Sequence, residues 1–242
     1  MLFDNSRPRY LPHLEQPTVL KMGLGPLGRN HSWIETDADW RRYHDNKLQQ
    51  RKLLGARVYR AEPESLAAQR ELATMLLQHL TRRQGDLYRL EESWLTFAPE
   101  QLKLSLGGEE PLWDSSLWVA DDLVIMQERG RTYHLTAASL CSASGWCLEE
   151  KFDHSLGDIH TPVPGLNDTL APSIDRFFAH LKPKHPVCRY NWSLQAGNAL
   201  NRRTVAGESR RTNGDIHYRV ERQTLVRLPR TGAIAFTIRV YL

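Results

Sequence analysis

Apolar residues recur at helical spacing through the first third of the chain. One stripe follows Asp37 and Asp39, either of which can cap a helix, and Gly55 ends it. Its apolar members are Trp40, Tyr43, Leu48, Leu53 and Leu54. A second stripe begins after Pro63, which suits a helix N-terminus, and ends at Arg82-Arg83, where cations suit the helix dipole. Its members are Leu66, Leu72, Met75, Leu76 and Leu80. The pattern predicts two amphipathic helices that pack into a core.

After Gly85 the helical spacing gives way to alternation of apolar and polar residues, which is typical of strands. Strands are predicted over residues 102–106, 117–127, 132–140, 187–194, 216–228 and 233–242. Gly130 suits a hairpin connection between the second and third strands. A helix is predicted over 173–181, ahead of the last three strands, and residues 195–214 are predicted to form a long polar loop.

This order of elements predicts an α+β fold. Residues 1–84 are expected to form an N-terminal arm and helices that pack on an antiparallel core of residues 85–242, as one structural unit. The sequence has no internal repeat and no clear interdomain linker.

Composition and charge narrow the classes of function. The chain has 242 residues, of which 40% are hydrophobic and 25% charged, so global disorder is not expected. The net charge of +4 is spread along the chain, which does not favour a nucleic-acid partner. No apolar run reaches the roughly 18 residues of a membrane span. The odd number of cysteines and the lack of a signal-peptide pattern indicate a reducing cytoplasm. Cys141 and Cys147 are too far apart for a typical zinc motif, so packing roles are expected for them.

His160 is held between Ile159 and a segment that contains Pro162 and Pro164. Because prolines fix the backbone on its C-terminal side, the imidazole could serve as an axial metal ligand. A structural hydrogen-bonding role is the other interpretation. His134 and His154 are weaker candidates, since neither lies in a segment stiffened by proline.

Several blocks in order along the chain resemble one known family. They are residues 22–27 (MGLGPL), 33–37 (WIETD), 51–54 (RKLL), Trp146 with Glu150-Lys151, 159–165 (IHTPVPG), 189–192 (RYNW) and 221–229 (ERQTLVRLP). Together they make the chain similar to the heme-dependent oxidative N-demethylases, whose reference activity is that of the dimethylamine monooxygenase heme subunit.

The resemblance implies a PAS-like heme-binding domain that carries heme b and activates O2. It also implies electrons from a separate NADPH-linked reductase with a flavin and an iron–sulfur cluster, and oxidation of a small secondary amine to a demethylated amine and formaldehyde. The heme subunits of the family continue into a further helical segment, whereas this sequence ends at Leu242. Closure of the pocket and docking of the reductase are therefore left open by the resemblance.

The resemblance also implies roles for individual residues. His160 is the expected heme ligand, and Asp158 or a backbone carbonyl could orient its ring. On the closing strands, Glu221 could hold an alkylammonium group, and Arg189 or Asn191 could polarise bound oxygen. The further residues expected to contact the cofactor are Arg222, Arg227 and Arg239, for the propionates, and Trp192.

Three alternatives stay open at this point. For any one of the strand residues, the other interpretation is a solvated sheet face with cross-strand ion pairs. For the whole protein, one alternative is a heme-based gas or redox sensor, in which ligand binding shifts a conformation without turnover. The other is a module that has lost the heme and binds a small ligand or a partner.

Overall fold

The fold is α+β, as the sequence predicts. The computed structural model describes residues 8–15, 23–28, 31–130, 132–160, 176–203 and 215–242. Helices lie on both faces of a seven-stranded antiparallel sheet, and a separate three-stranded sheet stands beside it. No helix in these ranges has the length and apolar run needed to span a bilayer.

The two long helices confirm the predictions from apolar spacing. They are α2 (Trp40–Leu54), which ends at Gly55 with a positive φ of 53°, and α3 (Leu66–Arg83). Four short helices were not predicted: α1 (Pro12–Glu15), α4 (Pro111–Ser116), α5 (Leu148–Lys151) and α6 (Leu156–His160). Residues 176–180 are also helical, within the range predicted for a helix before the last strands.

The large sheet has the strand order β1-β8-β9-β10-β6-β7-β2, and the small sheet has the order β3-β4-β5. The strands of the large sheet are β1 (Gly25–Pro26), β2 (Tyr59–Ala61), β6 (Asp122–Arg129), β7 (Thr132–Ser139), β8 (Val187–Ala196), β9 (Ile216–Arg227) and β10 (Ile234–Tyr241). Those of the small sheet are β3 (Tyr88–Leu90), β4 (Trp94–Phe97) and β5 (Leu102–Ser105). The last three strands are consecutive neighbours, as predicted.

The strand predicted over 117–127 begins later, at Asp122. Residues 117 and 118 continue the turn of α4 through their backbone hydrogen bonds. Around them, the buried ammonium of Lys47 binds three backbone carbonyls. Its Nζ donates to the carbonyls of Ser116 (2.7 Å), Val119 (3.0 Å) and Asp121. Since these carbonyls are satisfied by a side chain of α2, they do not enter a strand ladder.

Opposite faces of the large sheet belong to different hydrophobic clusters. Leu72 and Leu76 of α3 lie in one cluster with Val226 and Ala235, and this side is called the α3 face. Leu156 and Ile159 of α6 lie in another cluster with Leu225 and Ile234, and this side is called the α6 face. Neighbouring strand residues thus alternate between the two faces, as the pleat requires.

β1 and β2, from the N-terminal part of the chain, are the two outer strands of the same sheet as the C-terminal strands. The division at residue 84 stays a prediction. Cys141 and Cys147 are buried and Cys188 is half-buried; all three are free thiols. Their burial agrees with packing roles for these side chains.

Candidate functional site

The predicted site residues on the last three strands separate onto the two faces of the sheet. In the ladder of β8 and β9, Asn191 pairs with Glu221 and Arg189 pairs with Gln223. Glu221 and Gln223 lie four and two residues before Leu225 on β9, so they point to the same side of the sheet as Leu225, the α6 face. Asn191 and Arg189 lie on that face as well, because residues paired across a ladder share a face. Arg227 is also on this face, whereas Arg222, Arg239 and Trp192 lie on the α3 face. The structure therefore brings together the three residues predicted to be catalytic.

Glu221 is held by neighbours on its own strand. Arg219 donates from Nε and Nη2 to Glu221 Oε1, at 3.2 and 3.1 Å, and Gln223 Nε2 donates to Oε2 at 3.1 Å. The Glu221 side chain keeps 18% of its surface exposed. A carboxylate fixed in this way can still accept further hydrogen bonds through its remaining lone pairs.

Arg219 is itself buried and fixed from several sides. It donates to the carbonyls of Ser142 and Leu200 and to Gln195 Oε1. Only 1% of its side-chain surface is exposed. Because its guanidinium is anchored to the backbone, it sets the orientation of Glu221 more firmly than a mobile surface cation would. The alternation along β9 predicted this row of polar residues but did not reveal which of them is buried.

Arg189 differs from Arg219 in its hydrogen bonding. Its Nε is buried and has no hydrogen-bond partner among the described residues. Burial lowers the pKa of Arg189, and the nearby carboxylate of Glu221 opposes that shift. A buried donor without an acceptor costs about 1–3 kcal/mol, so this group is well placed to meet an anionic or hydrogen-bond-accepting ligand.

Asn191 lies directly across from Glu221 in the antiparallel ladder. Its Oδ1 accepts a hydrogen bond from the amide of Trp192 at 3.1 Å, and its side-chain NH2 can donate toward this face. Arg189, Asn191 and Glu221 therefore form a compact group of two donors and one carboxylate.

An apolar surface adjoins this polar group on β10. Ile238 pairs with Gln223 and Phe236 pairs with Leu225, and both β10 side chains are only half-buried. Phe177 and Trp146, which are also half-buried, belong to the same cluster. The α6 face thus offers half-buried apolar side chains beside a few polar ones, the mixture of side chains that lines small-molecule and cofactor sites.

His160 is the last residue of α6, and its side chain lies outside the described residues, as do residues 161–175. Leu156 and Ile159 of the same helix pack into the cluster of the α6 face. The carboxylate of Asp158, which was predicted as a possible partner of the imidazole, accepts a hydrogen bond from Ser155 Oγ at 2.6 Å. This bond lowers the pKa of Asp158.

Arg227 connects the helical residues 176–180 to the sheet. Its guanidinium donates to the carbonyls of Phe178 (2.5 Å), Leu181 (2.6 Å) and Gly232 (2.7 Å) and to the hydroxyl of Tyr133 (2.9 Å). These bonds fix the segment that follows residues 161–175 over the α6 face.

Arg222 and Arg239 are fully buried on the α3 face. Arg222 donates to the carbonyls of Trp33 (3.0 Å) and Ser32 (2.6 Å), and Arg239 donates to both carboxylate oxygens of Asp37. Trp192, on the same face, lies 5.6 Å from the ring of His13, centroid to centroid. The contact of these three residues with a cofactor stays a prediction, and it is not supported by their position on the side opposite Arg189 and Glu221.

The two other histidines considered as ligands serve the local structure. His134 contacts Thr132 Oγ1 and the carbonyl of Asp153, both at 3.1 Å, and His154 Nδ1 contacts the carbonyl of Phe152 at 3.0 Å. Within the described ranges, no group of three or more His, Cys, Asp or Glu side chains could hold a metal ion. Heme iron, in contrast, can be held by a single imidazole.

Comparison with known families gives one match, which covers most of the chain. The model of the family described as "Haem-dependent oxidative N-demethylase, alpha subunit-like" matches residues 26–242. The matched range includes α6, the last three strands and every residue of the candidate site.

Proposed function

The chain belongs to the heme-dependent oxidative N-demethylase alpha-subunit-like family, and we propose that it is a heme-binding subunit that activates O2 to remove a methyl group from a small secondary amine. The observation that carries this proposal is the grouping of Arg189, Asn191 and Glu221 beside a half-buried apolar surface on the α6 face. The family description supports dependence on heme and a place in an assembly with at least one other subunit.

The residues of the α6 face fit a heme. A porphyrin is flat and apolar with anionic edges. This face combines Phe236 and Ile238 with the Nε of Arg189, which has no hydrogen-bond partner in the ranges that the structure describes. We propose His160 as the iron ligand, since α6 packs on this face and a neutral imidazole is an ordinary axial ligand of heme iron. When bound, heme b supplies the iron at which O2 is activated with electrons from outside the chain.

Glu221 is the proposed binding group for the substrate. A secondary amine is a cation near neutral pH, and a carboxylate held by Arg219 and Gln223 presents a fixed negative charge toward it. Arg219 compensates part of the negative charge of Glu221. We therefore expect Glu221 to contribute more to the orientation of the amine than to its affinity. Arg189 and Asn191 would donate hydrogen bonds to the oxygen, on which negative charge develops during the reaction.

Helical segments cover part of the α6 face. They are α6 and the helical residues 176–180, and Arg227 fixes the second of them to β9. Displacement of water around Glu221 by the bound amine and the heme would strengthen the interaction of Glu221 with a cation, because the local dielectric would fall below that of bulk water. The electron donor is proposed to be a separate NADPH-linked protein with a flavin and an iron–sulfur cluster.

Absorption spectroscopy of the purified chain with added hemin tests heme binding. We expect a Soret band that is lost or strongly shifted in His160→Ala and retained in His134→Ala, because His134 is occupied by local hydrogen bonds. Release of formaldehyde from a secondary amine with a competent reductase then tests turnover. Heme binding without formaldehyde would indicate a sensor, and no heme binding would indicate a heme-free module.

A further inference from the structure

The C-terminal end of α2 carries an exposed leucine. Leu53, in the last turn of the helix, keeps 66% of its surface exposed. Gln49, one turn earlier on the same stripe of the helix, is also exposed. A single exposed leucine needs no explanation by itself, so its meaning depends on the groups around it.

The groups around Leu53 are mainly cationic. Lys52 and Arg57 are exposed, and neither has a carboxylate within ion-pair distance in the ranges that the structure describes. Arg203 donates to the carbonyl of Arg57 at 3.4 Å and pairs with Glu149. Among the described side chains beside Leu53, three cations thus meet one carboxylate, so the surface is positively charged. Lys52, Leu53, Arg57 and Arg203 are called the α2-end surface.

The charges that border the α2-end surface balance each other. Arg51 pairs with Glu110 at 2.8 Å. Glu150, which follows Glu149 in α5, is itself followed by Lys151. These neighbours leave the positive charge of the α2-end surface in place, and an approaching protein would meet an apolar centre with cations around it.

The segment ahead of Arg203 links the α2-end surface to the candidate site. The amide of Arg202 donates to the carbonyl of Ala143 at 2.8 Å. Ser142, the neighbour of Ala143, accepts a hydrogen bond from Arg219, which holds the carboxylate of Glu221. A protein bound at the α2-end surface would therefore contact a segment that is hydrogen-bonded to the strand that supports the candidate site.

We propose that the electron donor of the proposed reaction docks on the α2-end surface through an acidic face. This inference rests on the proposed function, since that function requires electrons from another protein. The family description, "alpha subunit-like", supports a polypeptide partner, and complementary charge around an apolar centre is usual at the interface of two proteins. A nucleic acid would use the cations alone, so Leu53 would contribute little to its binding.

The experiment uses the full chain and, as the probe, a plant-type [2Fe–2S] ferredoxin, which is an acidic electron-transfer protein. Surface plasmon resonance measures its binding at about 20 mM and about 200 mM NaCl. We expect the double variant Lys52→Glu with Arg57→Glu to bind at least about tenfold more weakly at the lower salt concentration and to lose most of the salt dependence. Leu53→Ser should weaken binding about fivefold with the salt dependence unchanged.

Matched controls make the same changes elsewhere on the surface. Arg82→Glu with Arg83→Glu reverses two exposed cations in the last turn of α3, so it has the same net charge and a similar cost against the helix dipole. Leu90→Ser removes a leucine that is 54% exposed on β3. Both controls should bind the ferredoxin as the unmodified chain does.

Three results would overturn the docking proposal: no binding of the ferredoxin, equal weakening by the two double variants, or unchanged binding in Leu53→Ser. The last would mean that the cations attract any polyanion. Hemin titration of the same proteins separates this proposal from the proposed function. The variants of the α2-end surface should keep the Soret band, whereas its absence from the unmodified chain would refute heme binding without changing the ferredoxin measurement.

Discussion

Arg239 and Asp37 form an ion pair in which both side chains are completely buried. Nη2 of Arg239 lies 2.8 and 2.7 Å from the two carboxylate oxygens of Asp37, and neither side chain has exposed surface. The guanidinium carbon also lies 3.9 Å from the centroid of the Tyr43 ring. The pair joins the segment before α2 to the last strand, so it connects the two ends of the matched region.

We expect Asp37→Asn and Arg239→Met each to lower the free energy of unfolding by about 3–5 kcal/mol, because each leaves a buried charge without its partner. The double variant Asp37→Leu with Arg239→Met should lose less than the sum of the two. Urea unfolding followed by tryptophan fluorescence measures these values. The exposed pair of Arg41 and Asp45 is the control, and its loss should change stability little. Single variants as stable as the unmodified chain would contradict this account.

The stability of the fold should depend on pH through Asp121. Both of its carboxylate oxygens are buried without a hydrogen-bond partner among the described residues, and burial raises the pKa of Asp121 to about 6. The folded state then binds more protons than the unfolded state between about pH 4 and pH 6, so the contribution of Asp121 to stability falls as the pH rises through this range and is constant above it.

Asp121→Asn should remove this dependence. We expect the variant to be more stable than the unmodified chain by about 3 kcal/mol at pH 7 and to differ little from it at pH 4. Urea unfolding at pH 4, 5, 6 and 7 gives the difference curve. A difference that stays constant over these four pH values would rule out titration of Asp121.

Glu221→Gln should lower kcat/KM for formaldehyde release by about a hundredfold, because the amide cannot pair with an alkylammonium group. The Soret band should be unchanged, since Glu221 is not proposed to contact the iron. Ser193→Ala is the control on the same strand face, at an exposed position, and should be neutral. Unchanged turnover in Glu221→Gln would assign the amine to another group.

The sequence predicted the parts of the fold in which a periodic pattern runs over many residues. Both long helices and the last three strands were confirmed, with bounds within a few residues. Several short strands and helices, such as β2 and α4, were missed because three to six residues are too few to show a period, whereas the alternating leucines of 102–106 did predict β5. The late start of β6 could not be predicted, since it depends on Lys47, a residue distant in sequence.

Periodicity also predicted which residues of the candidate site share a face of the sheet. Alternation along β8 and β9 placed Arg189 with Asn191, and Glu221 with Gln223, on common faces. It could not show which face a ligand would meet, because both rows are polar. The buried partners Glu35 and Asp37, which lie far away in sequence, place Arg222 and Arg239 on the α3 face in internal ion pairs.

The hydrogen bonds from Lys47 to the carbonyls ahead of β6 link residues 1–84 to the rest of the chain. A fragment that begins at residue 85 would contain Ser116, Val119 and Asp121 without the ammonium that binds their carbonyls, and a fragment that ends at residue 84 would contain Lys47 without these three acceptors. We therefore expect that separating the chain at this point would cost each piece the packing that surrounds the Lys47 ammonium in the whole protein.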